Sequence, residues 1–240
     1  MLSENTIKEL SVKLQTTEIN IAREYFQHLF LSNLYKSKDS EKLAFKGGTA
    51  LRIIYGSPRF SEDIDFTGNI KIFHIKSILN KTIEKIRLEG VNVTVLESKE
   101  TTRGFLAIYE TKIHSSNIRV ELNVSLRQKQ NGSMSESHLI VSMLHPAYTV
   151  IALNEKVLVK EKIEALLSRK VPRDIFDMYF ILRNRMSINV VVNYQSKLLK
   201  TISGIDKNIL SKELKIYLPK SHWNLLNNFP EKLINDLKRI

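Results

Sequence analysis

The chain has 240 residues, 42% of them hydrophobic, which suits one large domain or two small ones. It has no cysteine, which excludes disulfides and thiolate metal sites and fits a reducing cytoplasm; no apolar run approaches the ~20 residues of a membrane span, and the start from Met1 to Asn5 lacks the form of a secretory leader. The net charge of +12, from 37 basic and 25 acidic residues, points to a polyanionic partner such as RNA or DNA, against the plainer alternative of a Lys- and Asn-rich compositional bias.

Residues 5–14 carry a weak helical pattern. Thr17-Glu18 opens a stronger helix to about Tyr35, with Ile21, Ala22, Tyr25, Phe26, Leu29, Phe30 and Leu34 at core spacing. His28 on this helix reads as packed or surface, not catalytic. Lys36 to Ser40 is a polar link. The next stretch, residues 43–66, is the most informative. Leu43 to Phe45 predicts a short strand, Gly47-Gly48 a bare-backbone turn, Thr49 to Tyr55 a helix, and Gly56-Ser57-Pro58 a second turn. Asp63-Ile64-Asp65 then predicts a strand carrying two carboxylates.

In a strand, positions i and i+2 share a face, so Asp63 and Asp65 converge while Ile64 and Phe66 turn to the core. Neighbouring carboxylates repel and need a cation or a shared proton. A hard divalent ion with oxygen ligands, Mg2+ or Mn2+, suits them. A glycine pair ahead of a helix offers amide N–H groups at a positive dipole end, suited to phosphate. Each element alone is usually just a turn or a solvated strand edge. Together, with Arg59 and Ser61 between them, they suggest phosphoryl or nucleotidyl transfer.

After Phe66, a Thr67-Gly68-Asn69 turn leads to a helix over about 71–88, with Ile72, Ile75, Ile78, Leu79, Ile83 and Ile86 as its apolar stripe. Three strands follow, at Val91 to Val95, Gly104 to Tyr109 and Ile118 to Leu126. The last alternates over nine residues. Its polar face holds Arg119, Glu121, Asn123 and Ser125, and Glu121 is its one acid; the ordinary alternative is an exposed glutamate paired with Arg119 or Arg127. Gln128 to Ser137 reads as a loop and Leu139 to Met143 as a last short strand, broken by Pro146. From Val157 the pattern is helical to the end. We therefore expect an α+β domain over 1–150, with 20 basic and 16 acidic residues, and a basic helical domain over 151–240, with 17 and 9.

Wound at ~100° per residue, residues 155–169 place Leu158, Val159, Ile163, Leu166 and Leu167 on one arc. Lys162 falls inside that arc. Either it snorkels at a domain edge, or the arc faces a cleft where the ammonium meets phosphate. Pro172 can open the next helix, which is apolar except for the neighbours Asp174 and Asp177. These two can favour the helix N-terminus, or pair with Arg169 and Arg173.

Gly47-Gly48-Thr49 followed by Arg59-x-Ser61-x-Asp63-x-Asp65 resembles the first motif of the nucleotidyltransferase superfamily. Lys46-Gly47-Gly48-Thr49-Ala50-Leu51 with Ser61-Glu62-Asp63-Ile64-Asp65-Phe66 is similar to the AbiEii/AbiGii abortive-infection toxin family, as is Glu161-Lys162-Ile163-x-Ala165-Leu166-x-x-Arg169 with Arg173-Asp174-x-x-Asp177. The resemblance covers about 20–185.

It implies a polymerase-β-type mixed sheet with flanking helices, then a helical domain. It implies transfer of a nucleoside monophosphate from an NTP to an acceptor: RNA, with the tRNA 3′ end as candidate, in a toxin–antitoxin or phage-defence system with a cognate antitoxin. Asp63 and Asp65 would hold the metal with Glu121, or with Asn123 instead. Gly47, Gly48, Thr49, Arg59, Ser61 and Lys162 would bind nucleotide. Asp174 would be a catalytic or organising acid opposite them, with Asp177, Arg169 and Arg173 in support. A small-molecule, antibiotic-type nucleotidyltransferase and a non-enzymatic nucleic-acid-binding module are the alternatives.

Overall fold

The structure, a computed structural model, describes residues 2–126, 134–204 and 207–240. Arg127 and the 128–133 part of the expected loop lie outside the described residues. The chain divides into a sheet unit, the chain up to Gly56 with Phe60–Leu153, and a helical unit, Ser57–Arg59 with Asn154–Ile240. The division falls between Leu153 and Asn154, three residues beyond the expected boundary, and it takes three residues of the first motif region into the helical unit.

The sheet unit holds a mixed seven-stranded sheet in the order β3-β4-β5-β2-β1-β7-β6. The strands are β1 (Leu43–Lys46), β2 (Ile64–Gly68), β3 (Val93–Thr101), β4 (Gly104–Ile113), β5 (Ser116–Leu126), β6 (Ser135–Ile140) and β7 (Tyr148–Leu153). β1 is antiparallel to β2 and parallel to β7, while β2 is parallel to β5. All four residues of β1 are buried, consistent with an apolar run in mid-sheet. On β5 the alternation is as expected: Ile118, Val120, Leu122 and Val124 are buried and Arg119 and Glu121 are exposed.

Among the described residues the α-helices of this unit are α1 (Glu4–Lys13), α2 (Glu18–Leu34), α3 (Gly47–Ile53) and α4 (Ile72–Leu88). Ser3 and Thr17 cap α1 and α2, accepting from the amides of Thr6 and Asn20. The core gathers Phe26 and Phe30 of α2, Ile75 and Ile83 of α4, and Phe45, Phe66, Leu122 and Val124 of the sheet. α2 is buried on every side from Asn20 to Leu34, so its polar residues lie inside the protein. Such groups need partners, and several are those that build the site.

Several sequence expectations are corrected. Thr67 and Gly68 continue β2 instead of turning, because they pair with β1 and β5. Asp63 precedes the strand. The glycine pair forms the first two residues of α3. The strand expected at 139–143 runs over 135–140, and Tyr148–Leu153 forms a further strand that the sequence reading passed over. A six-residue apolar run beside an expected boundary carries no period that tells strand from helix; pairing with β1 and β6 decides it.

The helical unit contains α5 (Glu155–Arg169), α6 (Pro172–Arg183), α7 (Ile188–Val192), α8 (Gln195–Ile202), α9 (Lys207–Tyr217) and α10 (Phe229–Lys238). Asn154 caps α5, which ends at Lys170 in the left-handed region, and Pro172 opens α6. α5 packs on α6, burying Leu158, Ile163 and Leu166 of one and Ile175, Phe176 and Met178 of the other. Phe176 stacks on Phe229 of α10 at 5.8 Å between ring centres. No helix among the described residues is long and apolar enough to cross a membrane.

Candidate active site

In the sheet unit the site is organised by register. Asp65 of β2 pairs with Lys46 on β1 and with Asn123 on β5. Paired residues share a face, so Lys46, Asp65 and Asn123 form a polar row across three central strands. Ile64 and Phe66 take the opposite face and are fully buried. Asp65 also meets the glycine pair. A Cβ built on Gly47 would lie 2.2 Å from Asp65 Oδ2, and Gly47 has φ +85°. Glycine is required there twice over, by left-handed backbone and by the carboxylate against it.

The approach to β2 is held by side chains from two helices. The buried hydroxyl of Thr49 donates to the Asp63 carbonyl. Gln27 of α2 donates through Nε2 to the carbonyls of Ser61 (2.9 Å) and Glu62 (3.2 Å). Arg23 pairs with Glu62 at 3.1 Å. Each such bond contributes only about 1 kcal/mol net, but together they fix the backbone that presents Asp63. Lys46 is buried, and its Nζ donates to Ser125 Oγ at 3.3 Å.

Of the expected metal ligands, Asp63 and Asp65 are partly exposed neighbours at the start of β2. Glu121 lies on the same face of β5 as Asn123, two positions before it, and accepts from Asn123 Nδ2 at 3.0 Å. The side chain directly beside Asp65 on β5 is therefore Asn123. Among the described residues no three His, Cys, Asp or Glu side chains are grouped closely enough to hold a metal ion. Mg2+ commonly takes one or two protein carboxylates and completes its shell with phosphate and water, so two adjacent aspartates suit it.

The helical unit gathers the other expected residues around two buried carboxylates. Asp177 accepts from Arg59 Nε at 2.8 Å and Nη2 at 3.0 Å, and from Lys162 Nζ at 2.7 Å. Burial would raise the Asp177 pKa, but the charges and hydrogen bonds of Arg59 and Lys162 outweigh it and hold the carboxyl below its usual value. Two cations share one buried carboxylate. Lys162 thus sits in the apolar arc of α5 because Asp177 meets it there. Asp174 is equally buried and pairs with Arg169 at 2.7 and 3.1 Å. Arg173 is half-buried.

A comparison with protein-family models matches residues 29–233 to the family described as nucleotidyl transferase AbiEii toxin, type IV toxin–antitoxin system. The chain belongs to this family. Its fold is shared with MenT4, a nucleotidyltransferase toxin from Mycobacterium tuberculosis H37Rv, at TM-score 0.67 and 14% identity, over 100% of this chain and 91% of that one. It is shared also with JHP933 from Helicobacter pylori, at TM-score 0.56 and 19% identity, over 93% and 95%. At these identities the likeness is one of fold. No curated protein matches the sequence.

Within this AbiEii-type framework, sequence reasoning missed Gln27, Arg23 and the placement of Lys46. Their signals were faint: polar residues inside a helix read only for its apolar stripe, and a lysine ending an apolar strand. It also gave Thr49 to phosphate, whereas its hydroxyl is engaged by Asp63. Ser61 enters the site through its carbonyl.

Proposed function

We propose that the protein transfers a nucleoside monophosphate from an NTP to an RNA acceptor, with the tRNA 3′ end as the first candidate, and that a cognate antitoxin counteracts it. The observation that carries this reading is the meeting of Asp65 with Gly47, which joins the carboxylate motif to the glycine motif in one place. An acceptor hydroxyl would attack the α-phosphorus, forming the new O–P bond as the bond to the β-phosphate bridge breaks and pyrophosphate leaves.

Asp63 and Asp65 are the residues that would hold Mg2+ or Mn2+, with Asn123 or Glu121 beside them. The ion, when bound, neutralises phosphate charge and lowers the pKa of the attacking hydroxyl. Gly47, with Gly48 and the Thr49 amide, supplies N–H groups for phosphate. Thr49 and Gln27 position Asp63. Arg59 and Lys162, held by Asp177, offset charge building on the phosphates, and Asp174 is kept in place by Arg169. The +8 of residues 151–240 favours a polyanionic acceptor.

The test is purified protein with Mg2+, each labelled NTP in turn, and total RNA. Label should enter RNA, fall away with EDTA, and be lost in Asp63→Ala. Transfer to an aminoglycoside but not to RNA, or no transfer with any of the NTPs, would overturn the reading.

A further inference from the structure

The sheet unit contains a cavity of about 310 Å³. It is remote in kind from the glycine–aspartate site. Its walls are Leu10 of α1, Leu14 just beyond that helix, Ile53 at the end of α3, and Leu144, while Val141 and Met143 stand exposed at its margin. Two polar side chains from one face of α2, Glu24 and His28, also line it, as does Arg52. Neither takes part in the chemistry proposed above.

The polar groups are specific. Arg52 Nε donates to Glu24 Oε2 at 3.0 Å, and its guanidinium lies 3.9 Å from the centre of the Phe60 ring. Among the described residues Glu24 Oε1 has no hydrogen bond. His28 is almost wholly buried, and its Nδ1 shares a 2.7 Å hydrogen bond with Tyr148 Oη. Its Nε2 has no partner among the described residues. Burial, then the charges of His145 and Arg52, lowers the His28 pKa to about 4, so the ring is neutral near pH 7. Two hydrogen-bonding positions thus line a cavity of ligand size whose remaining walls are mostly apolar, with Arg52 and Ser142 as the other polar side chains. A buried carboxylate already paired with Arg52 favours an uncharged N–H donor. It disfavours an anion by repulsion, and it disfavours a cation because the Glu24–Arg52 pair is already neutral.

We propose that this cavity is a binding site for a small uncharged molecule with an apolar body and an N–H-bearing edge, seated with the N–H at Glu24 and the body between Leu14, Ile53 and Leu144. Indole is a suitable probe. For a nine-heavy-atom compound a Kd of about 1 mM or tighter is expected. The titration is followed by the side-chain nitrogen resonances of His28, which report this cavity and not the nucleotide site.

1-Methylindole, which has no N–H, should bind about tenfold more weakly, and benzoate should not bind. Met143→Trp, at an exposed margin position, should narrow the mouth and weaken indole about tenfold with labelled-NTP transfer unchanged. Asp63→Ala should bind indole as the parent protein does, whatever the outcome for transfer. Equal binding of indole, 1-methylindole and benzoate, unmoved His28 resonances at saturating indole, or no effect of Met143→Trp would each overturn the proposal.

Discussion

The two pairs of aspartates in this protein live under opposite conditions. Asp65 lies partly exposed in a central strand against the backbone of Gly47, and Asp63, also partly exposed, stands just ahead of that strand. Asp174 and Asp177 are only 1% exposed, and each is met by guanidinium or ammonium groups. A carboxylate that keeps part of its surface at solvent can exchange water for a ligand, whereas a sealed carboxylate cannot. The second pair holds other side chains still, and the first keeps part of its surface at solvent.

Substitutions should separate the two pairs, and the largest effect belongs to the less buried one. Asp65→Asn should lower transfer by about 10²–10³-fold, the scale of one lost electrostatic contact in an active site. Its unfolding free energy from urea titration should stay within about 1 kcal/mol of the parent. Comparable loss of stability and activity would erase the distinction. Asp177→Asn should behave the other way, costing about 3–5 kcal/mol by leaving Arg59 and Lys162 buried without their carboxylate. Denaturant unfolding followed by the fluorescence of Trp223, in the helical unit, would measure it.

Acid should report the same contrast. Because the Asp177 pKa is lowered on folding, the stability it contributes is present above the unfolded carboxylate range and is lost as pH falls through the folded value. His28 acts at higher pH. Its pKa falls from 6.5 to about 4 on folding, so the folded state binds fewer protons in that window. Its contribution, up to about 3 kcal/mol, is full above pH 6.5 and declines toward pH 4. Glu24, whose pKa burial raises, opposes that slope. Comparing urea midpoints of the parent and His28→Asn between pH 7 and pH 4 isolates the histidine: the variant should lose less on acidification.

The smallest expected effect sharpens the glycine's part. Gly47→Ala places a methyl against Asp65 in a left-handed backbone, at a cost of about 1–3 kcal/mol. Transfer should fall further than stability alone explains, as seen in rates measured well below the melting temperature.

Much of the fold was legible along the chain. The helix over 18–34, the helix over 72–88 and the strand ending at Leu126 follow from apolar period alone, since each buries one side or all sides in a core. The glycine and aspartate motifs were legible as chemistry, because few patterns place bare backbone and adjacent carboxylates so close in sequence. β7 was not legible, as a short apolar run has no period that names its structure before it finds a neighbour. Nor was the work of Gln27, whose target lies 34 residues away.

What the sequence by itself determined is which residues carry charge, which stretches must be buried, and that Asp63 and Asp65 stand two apart with Ile64 turned inward. Only the tertiary structure decided the partners. Register chose Asn123 to stand beside Asp65, and helix packing brought Asp177 to Arg59 and Lys162. The reason is physical: periodicity fixes which face a side chain takes, but the group it meets across that face comes from a distant segment, and its place is set by the packing of the core.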